Sequence, residues 1–103
     1  MFTRAIPLLE DKEAQAEAQY WIGESLFGME SYEDAVSELL KVGYNYPQFT
    51  QWAASAELKA GEAYQNSKEF DKATQIYERV ISKYGKYSQW GTEASSRLLI
   101  LQK

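Results

Sequence analysis

The chain has 103 residues, of which 45% are hydrophobic and 15% aromatic, enough apolar material for one folded domain and too much for a disordered chain. It contains no histidine and no cysteine, which excludes an imidazole base, a thiolate nucleophile, a Cys/His zinc site and a disulfide. The formal net charge of −4 argues against a nucleic-acid backbone or an anionic membrane surface as the main partner.

No segment of the sequence approaches the roughly 20 consecutive apolar residues that span a bilayer, so we expect no membrane insertion. Residues 1–7 lack the apolar centre of a signal peptide, and export would require a targeting segment outside this sequence. There is no Gly-rich phosphate loop, nucleophile elbow or metal-ligand spacing. We therefore expect no cofactor and no metal site.

The spacing of apolar residues predicts an all-α chain of about five helices. Residues 1–12 are similar to the tail of a preceding helix and lead into the first one. Beyond them, apolar residues recur at three- and four-residue steps, and the breaks carry Gly, Pro, Asn and Ser. The predicted helices cover roughly residues 13–28, 32–46, 50–66, 70–84 and 88–102.

Individual positions on these helices are also predicted. In the first helix, the spacing places Ala14, Ala18, Trp21 and Ile22 on one apolar face, with Trp21 in the core or between repeats. Thr50 and Ser88 stand where N-caps are expected, since their hydroxyl groups can accept a free backbone N–H of the first turn.

The sequence repeats itself within a single domain of residues 1–103. Residues 13–49 form the first repeat, 50–87 the second, and 88–103 a last helix that is a partial repeat or a cap. Small residues at matching positions predict that the two helices of a repeat approach closely, with bulky side chains around the contact. The matching pairs include Gly23 and Gly61, Ala35 and Ala73, Leu39 and Tyr77, and Trp52 and Trp90.

At these positions the chain resembles tetratricopeptide repeat (TPR) proteins. Their pattern is a small residue in the first helix, an aromatic residue opening the second, a central alanine, a bulky residue, a small or branched residue and a proline. The first repeat meets this pattern with Gly23, Tyr32, Ala35, Leu39, Val42 and Pro47. The second meets it with Gly61, Tyr64, Phe70, Ala73, Tyr77 and Val80, while Gly85 replaces the proline.

The resemblance covers residues 13–94 and implies a right-handed superhelix of paired helices. The spacing of the matching pairs is about one helical turn longer than the usual TPR length of about 34 residues. This elongated form is similar to TPR proteins of the bacterial cell envelope, including the Tol–Pal-associated periplasmic coordinator and the outer-membrane assembly lipoproteins. By resemblance alone, it suggests a periplasmic or envelope location.

The resemblance also implies a concave surface that is lined mainly by the first helix of each repeat and binds a protein or peptide without catalysis. Glu24 and Glu62 have the wrong charge to clamp a partner's C-terminal carboxylate, so a segment with basic and apolar residues suits this surface better. The residues expected at the groove are Tyr20, Glu24, Phe27, Leu58, Glu62 and Gln65.

Two other functions stay open at this stage. The chain could be a structural module that self-associates through its ends, since residues 98–101 are all apolar. It could also be a carboxylate-based hydrolase, if Glu24 and Glu62 were paired in a water-poor cleft. We do not expect an enzyme, because carboxylates are the only plausible acid–base groups in the chain.

Overall fold

A computed structural model describes residues 11–102, which form five α-helices and no strand. The helix bounds lie within one residue of those predicted from the sequence. The predicted helix remnant within residues 1–12 lies almost wholly outside the described residues. The helices are α1 (Lys12–Gly28), α2 (Tyr32–Asn45), α3 (Thr50–Asn66), α4 (Phe70–Tyr84) and α5 (Gln89–Leu101).

Side-chain caps begin two of the helices. The Asp11 carboxylate accepts the backbone N–H of Glu13 at 3.0 Å and so starts α1. The Ser88 hydroxyl accepts the N–H of Gly91 at 2.9 Å, which confirms the predicted cap of α5.

The predicted cap at Thr50 is wrong, because Thr50 is already the first residue of α3. Phe49 occupies the N-cap position and makes no side-chain cap hydrogen bond. Its backbone carbonyl accepts the N–H of Ala53 at 2.9 Å, and its ring packs against the core. The start of α3 therefore coincides with a core contact of the Phe49 ring and not with the expected hydroxyl cap.

Short connections make consecutive helices pack as neighbours, in the pairs α1–α2 and α3–α4, with α5 following. Helix α3 also contacts both α1 and α5, whereas the Cα atoms of α2 and α4 stay more than 8 Å apart and the Leu40 side chain of α2 reaches the second core cluster on α4 and α5. The odd-numbered helices therefore form a continuous layer. The even-numbered helices pack against this layer, with a gap between α2 and α4.

A glycine in the first helix of each pair permits a close approach by the second helix. A Cβ atom added at Gly23 would lie 2.5 Å from Leu39 Cδ2, and one added at Gly61 would lie 2.6 Å from Tyr77 Cε1. Leu39 and Tyr77 are fully buried, so neither side chain has room to move aside. The predicted close contact of the paired helices is thus confirmed in both pairs.

Two clusters of buried residues form the core. The odd-numbered helices contribute mainly alanines to them, and the even-numbered helices contribute the larger aliphatic and aromatic side chains. The first cluster contains Ala16, Ala35, Val36, Leu39, Val42, Ala56, Ala60 and Ala63; the second contains Ala73, Ile76, Tyr77, Val80 and Ala94.

The apolar face predicted for α1 is wrong at its two largest residues. Trp21 is 41% exposed and Ile22 is 44% exposed. The buried residues of α1 are Ala16, Ala18 and Gly23, because neighbouring helices lie too close to this face for larger side chains. The size and hydropathy of Trp21 and Ile22 therefore do not predict which face of α1 is buried.

Within residues 11–102, no helix is long and apolar enough to cross a membrane.

We expect Gly23→Ala and Gly61→Ala each to lower the free energy of unfolding by about 1–3 kcal/mol, because the added methyl group overlaps a fully buried side chain. Gly28→Ala is the matched control: a Cβ there would meet nothing within 4 Å, so alanine should be neutral or stabilise α1. Urea denaturation followed by circular dichroism compares the three variants. Equal stability in all three would contradict the role of the two glycines.

Candidate functional site

The six residues predicted for the groove lie on α1 and α3, and each is half-buried. Helix α1 carries Tyr20, Glu24 and Phe27, and helix α3 carries Leu58, Glu62 and Gln65. Since α1 and α3 are in contact, Tyr20, Glu24, Phe27 and Glu62 meet on one surface.

Lys59 lies at the centre of this surface. Its Nζ atom is 3.6 Å from Glu24 Oε1 and 3.7 Å from Glu62 Oε1. The same ammonium group lies 4.7 Å from the centroid of the Phe27 ring, in cation–π geometry. One lysine thus brings together three of the predicted residues.

The charged groups continue onto α5. Arg97 Nη2 lies 2.9 Å from Glu62 Oε2, and its Nε atom donates to Glu93 Oε2 at 2.9 Å. We call Glu24, Lys59, Glu62, Glu93 and Arg97 the inner charge cluster. With three carboxylates and two cations, this cluster retains an excess negative charge.

Tyr20 forms the edge of the cluster on α1. Its hydroxyl donates to Glu24 Oε2 at 3.3 Å, and its ring lies 5.6 Å from the Trp52 ring, centroid to centroid. Burial raises the pKa of Tyr20 to about 12, and the negative charge of Glu24 and its hydrogen bond add to the shift. The phenol therefore stays neutral and oriented at physiological pH.

Four of the predicted residues serve the fold as well as the surface. Tyr20 and Phe27 pack against the first core cluster. The Gln65 side chain accepts a hydrogen bond from the hydroxyl of buried Tyr77 at 2.9 Å, between the helices of the second pair. Leu58 packs against the second core cluster. Leu58 and Gln65 therefore contact the second helix pair and not the inner charge cluster.

Sequence reasoning missed Lys59 and Arg97, although the repeat contains the signal that finds them. Lys59 and Arg97 occupy equivalent positions of successive repeats, as do Glu24 and Glu62. Each cation reaches the glutamate of the preceding odd-numbered helix, so the same ion pair occurs twice. A search of the repeat register for charges of both signs would have indicated it.

The arrangement does not form an acid–base pair. Lys59 lies between Glu24 and Glu62, so each carboxylate is paired with a cation, whereas the hydrolase hypothesis requires the two carboxylates to pair with each other. In the part of the chain that the structure describes, no group of three acidic side chains is placed to hold a metal ion.

Comparison with known families adds a separate finding. A family model described as the tetratricopeptide repeat matches residues 17–48 and 55–87, more than half of the chain. The two matches fall on the pairs α1–α2 and α3–α4. Curated proteins gave no match to the chain.

We expect the stability of the fold to fall as the pH rises from about 10 to about 12. The pKa of Tyr20 is higher in the folded chain than its ordinary value of 10.0, so between these values the unfolded chain loses the phenol proton first and is favoured. Tyr20→Phe should weaken this pH dependence. Urea denaturation of both proteins across this range measures it, and identical pH profiles would contradict the placement of Tyr20.

Proposed function

Because the chain belongs to the tetratricopeptide repeat family, whose repeats generally mediate protein–protein interaction, we propose that it is a non-catalytic scaffold that binds a protein or peptide along α1, α3 and α5. The observation that carries this proposal is the inner charge cluster, which spans all three helices beside the half-buried rings of Tyr20 and Phe27. Aromatic side chains beside fixed charges are typical of the residues that dominate binding energies at interfaces.

The charges favour a partner segment with basic and apolar residues. The inner charge cluster has one more carboxylate than it has cations, and Glu17 adds another on the exposed side of α1, where it accepts the Trp21 indole N–H at 3.2 Å. A basic side chain of the partner would share Glu24 or Glu62 with the cations already there, while its apolar residues pack on the aromatic rings.

We expect Glu24→Lys and Phe27→Ala each to weaken peptide binding by about tenfold or more, equivalent to roughly 1.4 kcal/mol. The probes are peptides selected from a displayed random library on the unchanged chain, and fluorescence anisotropy measures their affinity. Glu24→Lys removes a carboxylate that would pair with the peptide, and Phe27→Ala removes an apolar contact.

Glu78→Lys makes the same charge change as Glu24→Lys at an exposed position on α4, and it should leave the affinity unchanged. Circular dichroism verifies that each variant remains helical. If the selected peptides bind Glu24→Lys and Phe27→Ala as tightly as the unchanged chain, the proposed surface is wrong.

We also propose that the scaffold is part of a larger assembly of the bacterial cell envelope. This proposal is supported by the elongated repeat period, which resembles that of envelope TPR proteins. Fractionation of cells that express the intact gene product tests the location, and recovery in the cytoplasm would contradict it.

A second candidate function is self-association through α5. Leu99 and Ile100 are 65% and 61% exposed. In the repeat register Leu99 is equivalent to Gly23 and Gly61, the glycines that a following helix approaches in α1 and α3. A leucine there prevents an equally close approach, which leaves an apolar surface that a second copy could cover.

Under this second function, light scattering coupled to size exclusion should show dimers that dissociate on dilution, and Leu99→Glu should abolish them by placing a charge in the contact. Tyr87→Glu is a suitable control, because Tyr87 is 89% exposed and lies outside α5. A chain that stays monomeric at high concentration would count against self-association.

A further inference from the structure

A groove separates α2 from α4, and the Cα atoms of the two helices stay more than 8 Å apart. Its volume is about 640 Å³, within the range of sites that hold small ligands or a few side chains. Glu57 of α3 lines it beneath the two helices. Glu57 and Lys59 are two positions apart and therefore about 200° apart around the helix axis, so the groove and the inner charge cluster lie on opposite sides of α3.

Glu57 is almost fully buried, with 2% of its surface exposed. Its Oε2 atom accepts from Lys83 Nζ at 3.3 Å and from the Tyr84 hydroxyl at 3.4 Å. The absence of a side chain at Gly43 makes room for this carboxylate, because a Cβ there would lie 2.7 Å from Oε2. The second oxygen, Oε1, is buried and has no hydrogen-bond partner among the described residues.

The groove has more cations than this carboxylate neutralises. Arg79 and Lys83 lie one helical turn apart on α4, and Lys41 faces them from α2, where it also pairs with Glu38 at 3.1 Å. Arg79 Nε is 3.9 Å from Glu57 Oε1, too far for a hydrogen bond. Within residues 11–102 this guanidinium makes no hydrogen bond, so its N–H groups can donate to a carboxylate in bidentate geometry.

Apolar side chains line the same groove. Leu40 forms part of its wall on α2, and Tyr44 stands at its edge with 86% of its surface exposed. A single exposed tyrosine is ordinary, but here it adjoins a basic groove on a chain whose net charge is −4. The combination of positive charge and apolar wall is complementary to an acidic segment that also carries an apolar side chain.

We propose that the groove between α2 and α4 binds a short acidic peptide segment with one apolar anchor residue. Carboxylates of the segment pair with Arg79 and Lys83, and the anchor packs against Leu40 and Tyr44. This second surface does not depend on the proposed function of the inner one, and it has the opposite charge preference. The chain can then join two partners across the layer of odd-numbered helices.

Three sets of short fluorescent peptides test the proposal: one with Asp and Glu around a single Leu or Trp, one with Lys and Arg in place of the acidic residues, and one with the acidic residues but no anchor. Fluorescence anisotropy should show the tightest binding for the first set. Its affinity should fall as salt is added, because the ion pairs are partly exposed.

The double change Arg79→Gln and Lys83→Gln should weaken binding of the anchored acidic peptides by about tenfold or more. The double change Lys12→Gln and Lys68→Gln alters the net charge equally at exposed positions elsewhere and should alter binding by less than about twofold. Tyr44→Ala should weaken the anchored peptides several-fold and leave the unanchored ones unchanged.

Loss of Arg79 and Lys83 leaves Glu57 without a cation, which could unfold the chain. The triple change that adds Glu57→Gln removes this buried charge, and circular dichroism tests whether this variant folds. A folded triple variant that has lost acidic-peptide binding supports the proposal. Glu24→Lys on the inner surface should leave acidic-peptide binding intact, so the two proposed surfaces can be tested separately.

The proposal is overturned if acidic peptides bind no better than basic ones, or if the groove double variant and the control double variant lose affinity equally. It is also overturned if vesicles with anionic lipids bind the groove more tightly than any peptide, since the ligand would then be a membrane surface.

Discussion

In each helix pair, a glycine allows a bulky side chain of the second helix to lie directly against the backbone of the first. Leu39 does this at Gly23, and Tyr77 does it at Gly61. The contact recurs at the same position of each repeat, so both pairs have a close approach at the same place. Helix α3 then touches both α1 and α5, while the backbones of α2 and α4 stay apart. The surface formed by α1, α3 and α5 and the groove between α2 and α4 are both consequences of this spacing.

The charges follow the same repeat but differ in their energetic role. The ion pairs between Lys59 and Glu24 and between Arg97 and Glu62 keep 22–29% of their side-chain surface exposed, so each contributes little to stability. Their effect is to orient the side chains of the inner charge cluster. Glu57 is different because it is buried. Its carboxylate requires the cations of α4, and removing them would cost more than either surface pair contributes.

The predicted groove residues were only partly sufficient to describe the site. Tyr20, Glu24, Phe27 and Glu62 do lie close together, but the lysine that joins them was not anticipated, and a partner-binding role for them stays a prediction. Leu58 and Gln65 were placed on the expected helix, although their contacts are with the core and with Tyr77. The face of a helix follows from periodicity, whereas the neighbours of a side chain depend on how the next helix is positioned.

The sequence alone determined the five helices, their bounds, the repeat period and the cap at Ser88, because these depend on residues a few positions apart and on the repeat. Only the tertiary structure decided that Trp21 is exposed, that Lys59 lies between two glutamates and that Glu57 is buried. These outcomes depend on the distance between helices that are remote in the chain. Close packing selects small residues for the closest contacts, so Trp21 and Ile22 of α1 remain exposed, and no local pattern reveals which charges will meet.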